Sequence, residues 1–117
     1  MSQIPPHYSP YIKANNMIIT SGQLPLLDRA TKKSAEGIRA QALLVLQNVE
    51  KLIAQEGLSR NDIIKTTAYI TEINDWGAVN EVYQEFFGDY KPARSIIPVS
   101  TLHFGCLIEL EAIACIK

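Results

Sequence analysis

The run Leu107-Ile108-Glu109-Leu110-Glu111-Ala112-Ile113-Ala114-Cys115-Ile116 alternates in character from one residue to the next. A period of two puts successive side chains on opposite faces of an extended strand. Ile108, Leu110, Ala112, Ala114 and Ile116 then make a wholly apolar face, while Leu107, Glu109, Glu111, Ile113 and Cys115 make a mixed one. If helices cover the apolar face, the mixed face still presents Leu107, Ile113 and Cys115 around two carboxylates. A partner subunit is the economical cover for such a surface.

Working back from this strand, Ala93 to Val99 reads as another. The two form a terminal strand pair joined by a loop containing Ser100, Thr101, His103 and Gly105. Asp75 to Phe87 sets Trp76, Val79, Tyr83, Phe86 and Phe87 at helical spacing and ends before Gly88, so a second helix with an aromatic core stripe is expected there. Asp62 to Ile70, rich in Ile and Thr, reads as a strand. Ser34 is a candidate N-cap for a long helix from about Ala35 to Glu56 that closes with Gly57 at C′. Its apolar face carries Ile38, Ala42, Val45, Val49 and Leu52. Asp28 to Ser34 reads as a polar loop. Tyr11 to Asn15 and Met17 to Thr20 read as strands turning at Asn15-Asn16, and Ser21-Gly22 breaks the second. This order predicts a single α+β domain over residues 1–117, a mixed β-sheet with two α-helices packed on one face.

With 47% apolar and 20% charged residues in 117, the chain has an ordinary globular composition. Its net charge is −1, and its eleven basic residues are scattered from Lys13 to Lys117 with only Arg29, Lys32 and Lys33 bunched. That distribution offers no face to a run of phosphates, so nucleic acid is not an expected partner. Met1 to Pro10 shows neither a secretory nor a transit pattern, and no uncharged stretch exceeds that of Ser95 to Ile108, which is too short and too broken to span a membrane. A cytoplasmic protein is expected, in which Cys106 and Cys115 serve as small hydrophobes. His7 is isolated, no cluster has metal-ligand spacing and no phosphate-binding glycine loop is present, so neither metal nor cofactor is expected.

Two residue types invite chemistry. Arg94 opens a strand just after a proline, where its planar guanidinium could grip a carboxylate through two parallel hydrogen bonds. Glu109 and Glu111 share the mixed face of the last strand, where a half-buried carboxylate could orient and polarise water. His103 and Cys106, three residues apart, could form a thiol–imidazole pair; a buried thiol and a loop histidine is the stronger reading.

The segment Lys91-Pro92-Ala93-Arg94-Ser95, followed by Leu107-Ile108-Glu109-Leu110-Glu111-Ala112-Ile113-Ala114, resembles the C-terminal signature of the reactive intermediate deaminase (RidA) family. The resemblance extends in order through Ser9-Pro10-Tyr11, Thr20-Ser21-Gly22-Gln23, Asp62-Ile63-Ile64-Lys65-Thr66-Thr67 and Asn74-Asp75-Trp76-Gly77-Ala78-Val79-Asn80. It implies a chorismate-mutase-like fold assembled as a homotrimer, with three equivalent sites in clefts between subunits. It further implies a cofactor-free hydrolysis of 2-imino acids, the tautomers of 2-aminoacrylate and 2-aminocrotonate, to 2-keto acids and ammonia. On this pattern Arg94 falls on the arginine that binds the substrate carboxylate and Glu109 on the glutamate that positions the attacking water. Tyr11 matches a tyrosine at the mouth of the site, Ser21 and Gly22 a turn lining it, and Asn80 a helix residue near the subunit contact. The sequence departs from the pattern at Ile96, where the family often has cysteine and only a backbone N–H could assist the carboxylate. It departs again at His103-Phe104, where the family usually has a proline after its leucine. Two other functions remain attached to the resemblance: an endoribonuclease or translation-inhibiting role, against which the lack of a basic stripe counts, and a non-catalytic binder of small carboxylates.

Overall fold

The computed structural model describes residues 4–116. Strands β1 (Tyr11–Ala14), β2 (Met17–Thr20), β5 (Ile63–Ile70), β6 (Ala93–Pro98) and β7 (Ile108–Cys115) form one sheet in the order β1-β2-β7-β5-β6. All neighbours are antiparallel except β5 and β6, which run parallel and are connected through α2 (Trp76–Phe87). A separate ribbon is made by β3 (Leu26–Asp28) and β4 (Lys33–Ser34), and it leads into α1 (Ile38–Ala54).

Both helices lie on the same face of this mixed sheet. Ala42, Val45, Leu46, Val49 and Ile53 of α1 and Val79, Val82, Tyr83, Phe86 and Phe87 of α2 join Ile18, Ile63, Ala68, Ile70, Ile108, Leu110, Ala112 and Ala114 in one buried cluster. The alternation of the last strand is realised as expected: Ile108, Leu110, Ala112 and Ala114 are buried, and Glu109, Glu111, Ile113 and Cys115 are half-buried. Strand β5 keeps its own alternation through a bulge. Ile63 opposes Ala114 and Lys65 opposes Ile113, so Ile64 is the extra residue and is pushed out to solvent. The face turned away from the helices carries an apolar line across three strands, Ile12 opposite Ile19 and Ile19 opposite Ile113. Ile12 and Ile19 are 54% and 41% exposed in the single chain.

Four local expectations are corrected. Ser34 does not cap α1: it pairs with Leu26 in the ribbon, and the N–H of Ala35 donates to the Pro25 carbonyl, so the chain is still extended at the residues assigned to the first helical turn. The cap falls to Gly37, whose φ of 87° and ψ of 160° only a residue without Cβ adopts easily. The polar loop from Asp28 to Ser34 correspondingly includes β4 and the end of β3. The last two strands are not a hydrogen-bonded pair, because β5 lies between β6 and β7. Trp76, read as part of the core stripe, stands at the start of α2 and is 43% exposed, whereas Val79, Tyr83, Phe86 and Phe87 are buried.

Candidate functional site

Parallel pairing sets Arg94 level with Thr66, which is fully buried on the helix side of the sheet, so the Arg94 side chain rises toward α2. There Nη1 donates to Oδ1 of Asn80 at 2.9 Å. The guanidinium carbon lies 4.9 Å from the ring centre of Tyr83 and 5.2 Å from that of Trp76. Trp76, Asn80 and Tyr83 follow one another at steps of four and three along α2, which brings them to one stripe of its surface. Tyr83 is itself held by a 2.7 Å hydrogen bond with the Thr66 hydroxyl. Burial pushes its phenol up to about 12, against the opposing influence of that bond and of the Arg94 charge. Arg94 is half-buried, and among the described residues it forms no ion pair. A partly desolvated guanidinium with one amide partner and spare donors is suited to an anion. It opens on a cleft of about 620 Å³ whose wall includes Asn80, Tyr83, Tyr90 and Lys91.

Ile96 follows Arg94 on the same side of β6, and its side chain packs against the core. Its departure from the family's cysteine is therefore a packing change on the inner side of the sheet. The Val99 N–H donates to the Ile70 carbonyl at 2.8 Å. Counting back from that bond by twos directs the N–H groups of Ile97 and Ser95 toward β5, and those of Arg94 and Ile96 toward the open edge of the sheet. Pro98, lacking an N–H, fits that edge.

Glu109 occupies the other face. It stands opposite Tyr69 on β5 and against Gly22, where a Cβ would fall 2.0 Å from its Oε2. Gln23 exchanges two backbone hydrogen bonds with Leu110, at 2.7 and 3.0 Å, and so clamps the Ser21-Gly22 turn beside Glu109. Ser21 is turned back by its own bonds, its N–H to the Pro10 carbonyl at 2.9 Å and its hydroxyl to the Ser9 carbonyl. Burial raises the proton affinity of the Glu109 carboxyl, the negative charge of Glu111 raises it further, and His103 works in the opposite sense. Glu111 accepts a 2.8 Å hydrogen bond from the Tyr69 hydroxyl.

The remaining candidates separate from these two groups. Tyr11 is on β1, at the opposite edge of the sheet from Arg94, and its hydroxyl donates to Glu56 at 2.8 Å near the end of α1. Cys106 is 1% exposed, and its thiol is pushed up first by burial and then by Glu109, which disfavours the thiolate a nucleophile would need. His103 meets it through the backbone, the Cys106 N–H donating to the His103 carbonyl at 3.1 Å.

One chain thus gathers Arg94, Asn80 and Ile96 at the β6 edge on the helix side, and Glu109, Ser21 and Gly22 on the open face, without bringing the two groups together. Sequence reasoning passed over Trp76 and Tyr83 as neighbours of Arg94, although their spacing around Asn80 on the second helix was visible. It also passed over Tyr69, whose place opposite Glu109 depends on strand register and has no local signal. Among the described residues no group of three or more His, Cys, Asp or Glu side chains could hold a metal ion, and no helix is long and apolar enough to cross a membrane.

The chain resembles known proteins along nearly its whole length. Residues 2–116 match the family described as Endoribonuclease L-PSP. A RutC family protein of Pyrococcus abyssi is 43% identical over 108 residues, spanning 92% of this chain and 84% of that protein. The 2-iminobutanoate/2-iminopropanoate deaminase of Salmonella typhimurium is 40% identical over 116 residues, 94% of this chain and 90% of its own. Among solved structures, Escherichia coli TdcF with bound serine superposes with a TM-score of 0.87 at 38% identity, covering 97% of this chain and 91% of that one. With a family match over nearly its whole length and relatives of this similarity, the chain belongs to the Endoribonuclease L-PSP family, the group that includes the RutC and reactive intermediate deaminase proteins.

Proposed function

We propose that the protein is a hydrolytic deaminase that converts small, reactive 2-imino acids to 2-keto acids and ammonia. The observation that carries this reading is Arg94: a half-buried guanidinium steadied by Asn80, flanked by two rings and, among the described residues, without a carboxylate to neutralise it. Such a group takes a small carboxylate, and relatives named as 2-iminobutanoate/2-iminopropanoate deaminases supply the reaction.

Arg94 grips the substrate carboxylate, and the outward N–H of Ile96 adds a donor. Glu109 holds the attacking water and accepts one of its protons as the oxygen bonds to the imine carbon. The C=N π pair passes to nitrogen, which takes up a proton. That proton is the one Glu109 took from water, and the carbinolamine then expels ammonia as its hydroxyl proton passes by way of Glu109 to the departing nitrogen and the C=O forms. Holding water and electrophile in contact is the main catalytic device, and no electrons are exchanged with another group.

Arg94 and Glu109 lie on opposite faces of one sheet, so the reading requires two subunits per site. The apolar line of Ile12, Ile19 and Ile113, exposed at its first two members, supports a homotrimer of chorismate-mutase-like chains with sites in the clefts between them, to which Tyr11, Ser21, Gly22 and Asn80 contribute lining. The ribonuclease function in the family's description receives no support from this chain, whose scattered basic residues give a phosphate backbone no continuous track.

The test generates the imine in situ with an amino-acid oxidase and measures keto-acid release with and without the protein, alongside sedimentation equilibrium. Acceleration by a species of three times the 13.0 kDa chain mass is expected. Arg94→Ala should weaken binding of a stable keto acid by roughly two decades and lower turnover, with Arg94→Lys a poor substitute because it lacks the planar fork. Unaltered binding and turnover in Arg94→Ala, or a persistent monomer, would defeat the proposal.

A further inference from the structure

Glu109 and Glu111 stand two residues apart on one face of β7, yet their surroundings divide them. Glu111 accepts the Tyr69 hydroxyl at 2.8 Å, a bond that fixes where its carboxylate stands. For Glu109 the described residues provide no such donor, and its carboxylate lies against the bare backbone of Gly22. Tyr69 is opposite Glu109 in register but reaches past it to Glu111, which is level with Thr67 on the same strand. The charged or titratable groups around Glu109 are Glu111 on its own strand, Tyr69 on β5, and His103 and Cys106 in the turn that precedes β7. Lys65, further along the same face of β5, is engaged with the Ser95 hydroxyl at 3.5 Å.

We propose that Tyr69 and Glu111 are positioning residues for the hydrolytic step: Tyr69 fixes the Glu111 carboxylate beside Glu109, and the charge held there suits Glu109 to take a proton from the attacking water. The inference rests on the role of Glu109 proposed above. A negative charge fixed close by in a half-buried place favours the protonated form of a neighbouring carboxyl. Burial and the Glu111 charge both act on Glu109 in that direction, and His103 offsets part of it. The Tyr69 phenol is raised in turn, chiefly by its hydrogen bond to Glu111, and so remains the donor at neutral pH. The arrangement leaves Glu109 able to take a proton from water and give it up again within a turnover, while Glu111 acts through Glu109.

Glu111→Gln and Tyr69→Phe test this. Glutamine keeps the acceptor for Tyr69 and removes only the charge. Phenylalanine keeps the ring and removes the hydroxyl that holds the Glu111 carboxylate beside Glu109, so the charge is free to swing toward solvent. Both variants should move the acid limb of the kcat/KM profile for imine hydrolysis to lower pH, Glu111→Gln further than Tyr69→Phe. A residue that merely supports the fold would instead lower activity equally across the profile and leave the limb in place. The Glu109 carboxyl resonance, followed by carbon NMR on the assembled protein, should shift its titration the same way and needs no turnover. If the wild type fails to hydrolyse imines, the proposed function falls while the NMR titration still decides this inference. A Glu109 titration that stays put or moves upward in Glu111→Gln overturns it.

Discussion

Replacing Gly22 with alanine separates the two halves of the proposed site more cleanly than removing either charged residue. A Cβ at position 22 would fall 2.0 Å from Oε2 of Glu109, 2.9 Å from its Cδ and 3.2 Å from its Cγ. Non-bonded carbon and oxygen do not approach closer than about 3.3 Å without loss, so the carboxylate has to withdraw by about 1 Å or more. Gly22 is not one of the positive-φ glycines, so alanine meets no backbone strain there, and the obstacle is the mobile end of a glutamate. The fold should therefore survive, with stability changed by less than about 1 kcal/mol, since reduced freedom of the unfolded chain partly offsets the new contact. Catalysis should not survive so well: a misplacement of about 1 Å at a group that orients water lowers the rate on the order of a hundredfold. Arg94 is on the other face, so calorimetric binding of a stable keto acid should remain within a few-fold of wild type. The assay pairs that titration with imine hydrolysis and a thermal melt. Gly22→Ala with near-normal turnover would refute the assignment of water to Glu109, and loss of keto-acid binding with the fold intact would refute the separation of roles.

The Glu109 carboxyl is held above the ordinary carboxylate value by burial first and by Glu111 second, so the folded chain binds its proton more tightly than the unfolded chain. Its ionisation therefore opposes folding at neutral pH, and the penalty disappears as pH falls below the unfolded value. Glu109→Gln should accordingly slow hydrolysis while raising the melting temperature at pH 7, and the gain should vanish at pH 4 and below; a variant less stable than wild type at pH 7 would contradict this. Arg60→Ala should lower stability by about 1–2 kcal/mol in denaturant titration without affecting turnover of the folded protein. Arg60 joins Glu50 at 2.6 and 3.1 Å to the Phe86 carbonyl at 2.6 Å, with its guanidinium 3.8 Å from the Phe86 ring centre. The loss is modest because Arg60 is more than a third exposed and water screens the pair.

Much of this architecture is legible in local pattern. The alternation from Leu107 to Ile116, the spacing of Ala42, Val45 and Val49 and the stripe of Val79, Tyr83, Phe86 and Phe87 each state a period and a buried face, because burial selects apolar residues at the repeat of the element that carries them. The strands at 11–20 and 63–70 are equally local, and the ordered family segments identify Arg94 and Glu109 as the residues to watch. Where a segment finds its partner is not local information. Ser34 has the chemistry of an N-cap, but pairing with Leu26 keeps it extended and moves the cap to Gly37. Trp76 has the spacing of a core residue, but it stands at the exposed start of its helix beside Arg94. Above all, adjacency in sequence suggested that the last two strands pair, while β5 enters between them and runs parallel to one and antiparallel to the other. Registers set across that strand, Arg94 with Thr66 and Glu109 with Tyr69, turn the guanidinium to the helices and the carboxylate to the open face. A one-residue slip in either would reverse the side chain, and only the packed sheet, by burying Thr66, Ala68 and Ile70 beneath the helices, decides against it.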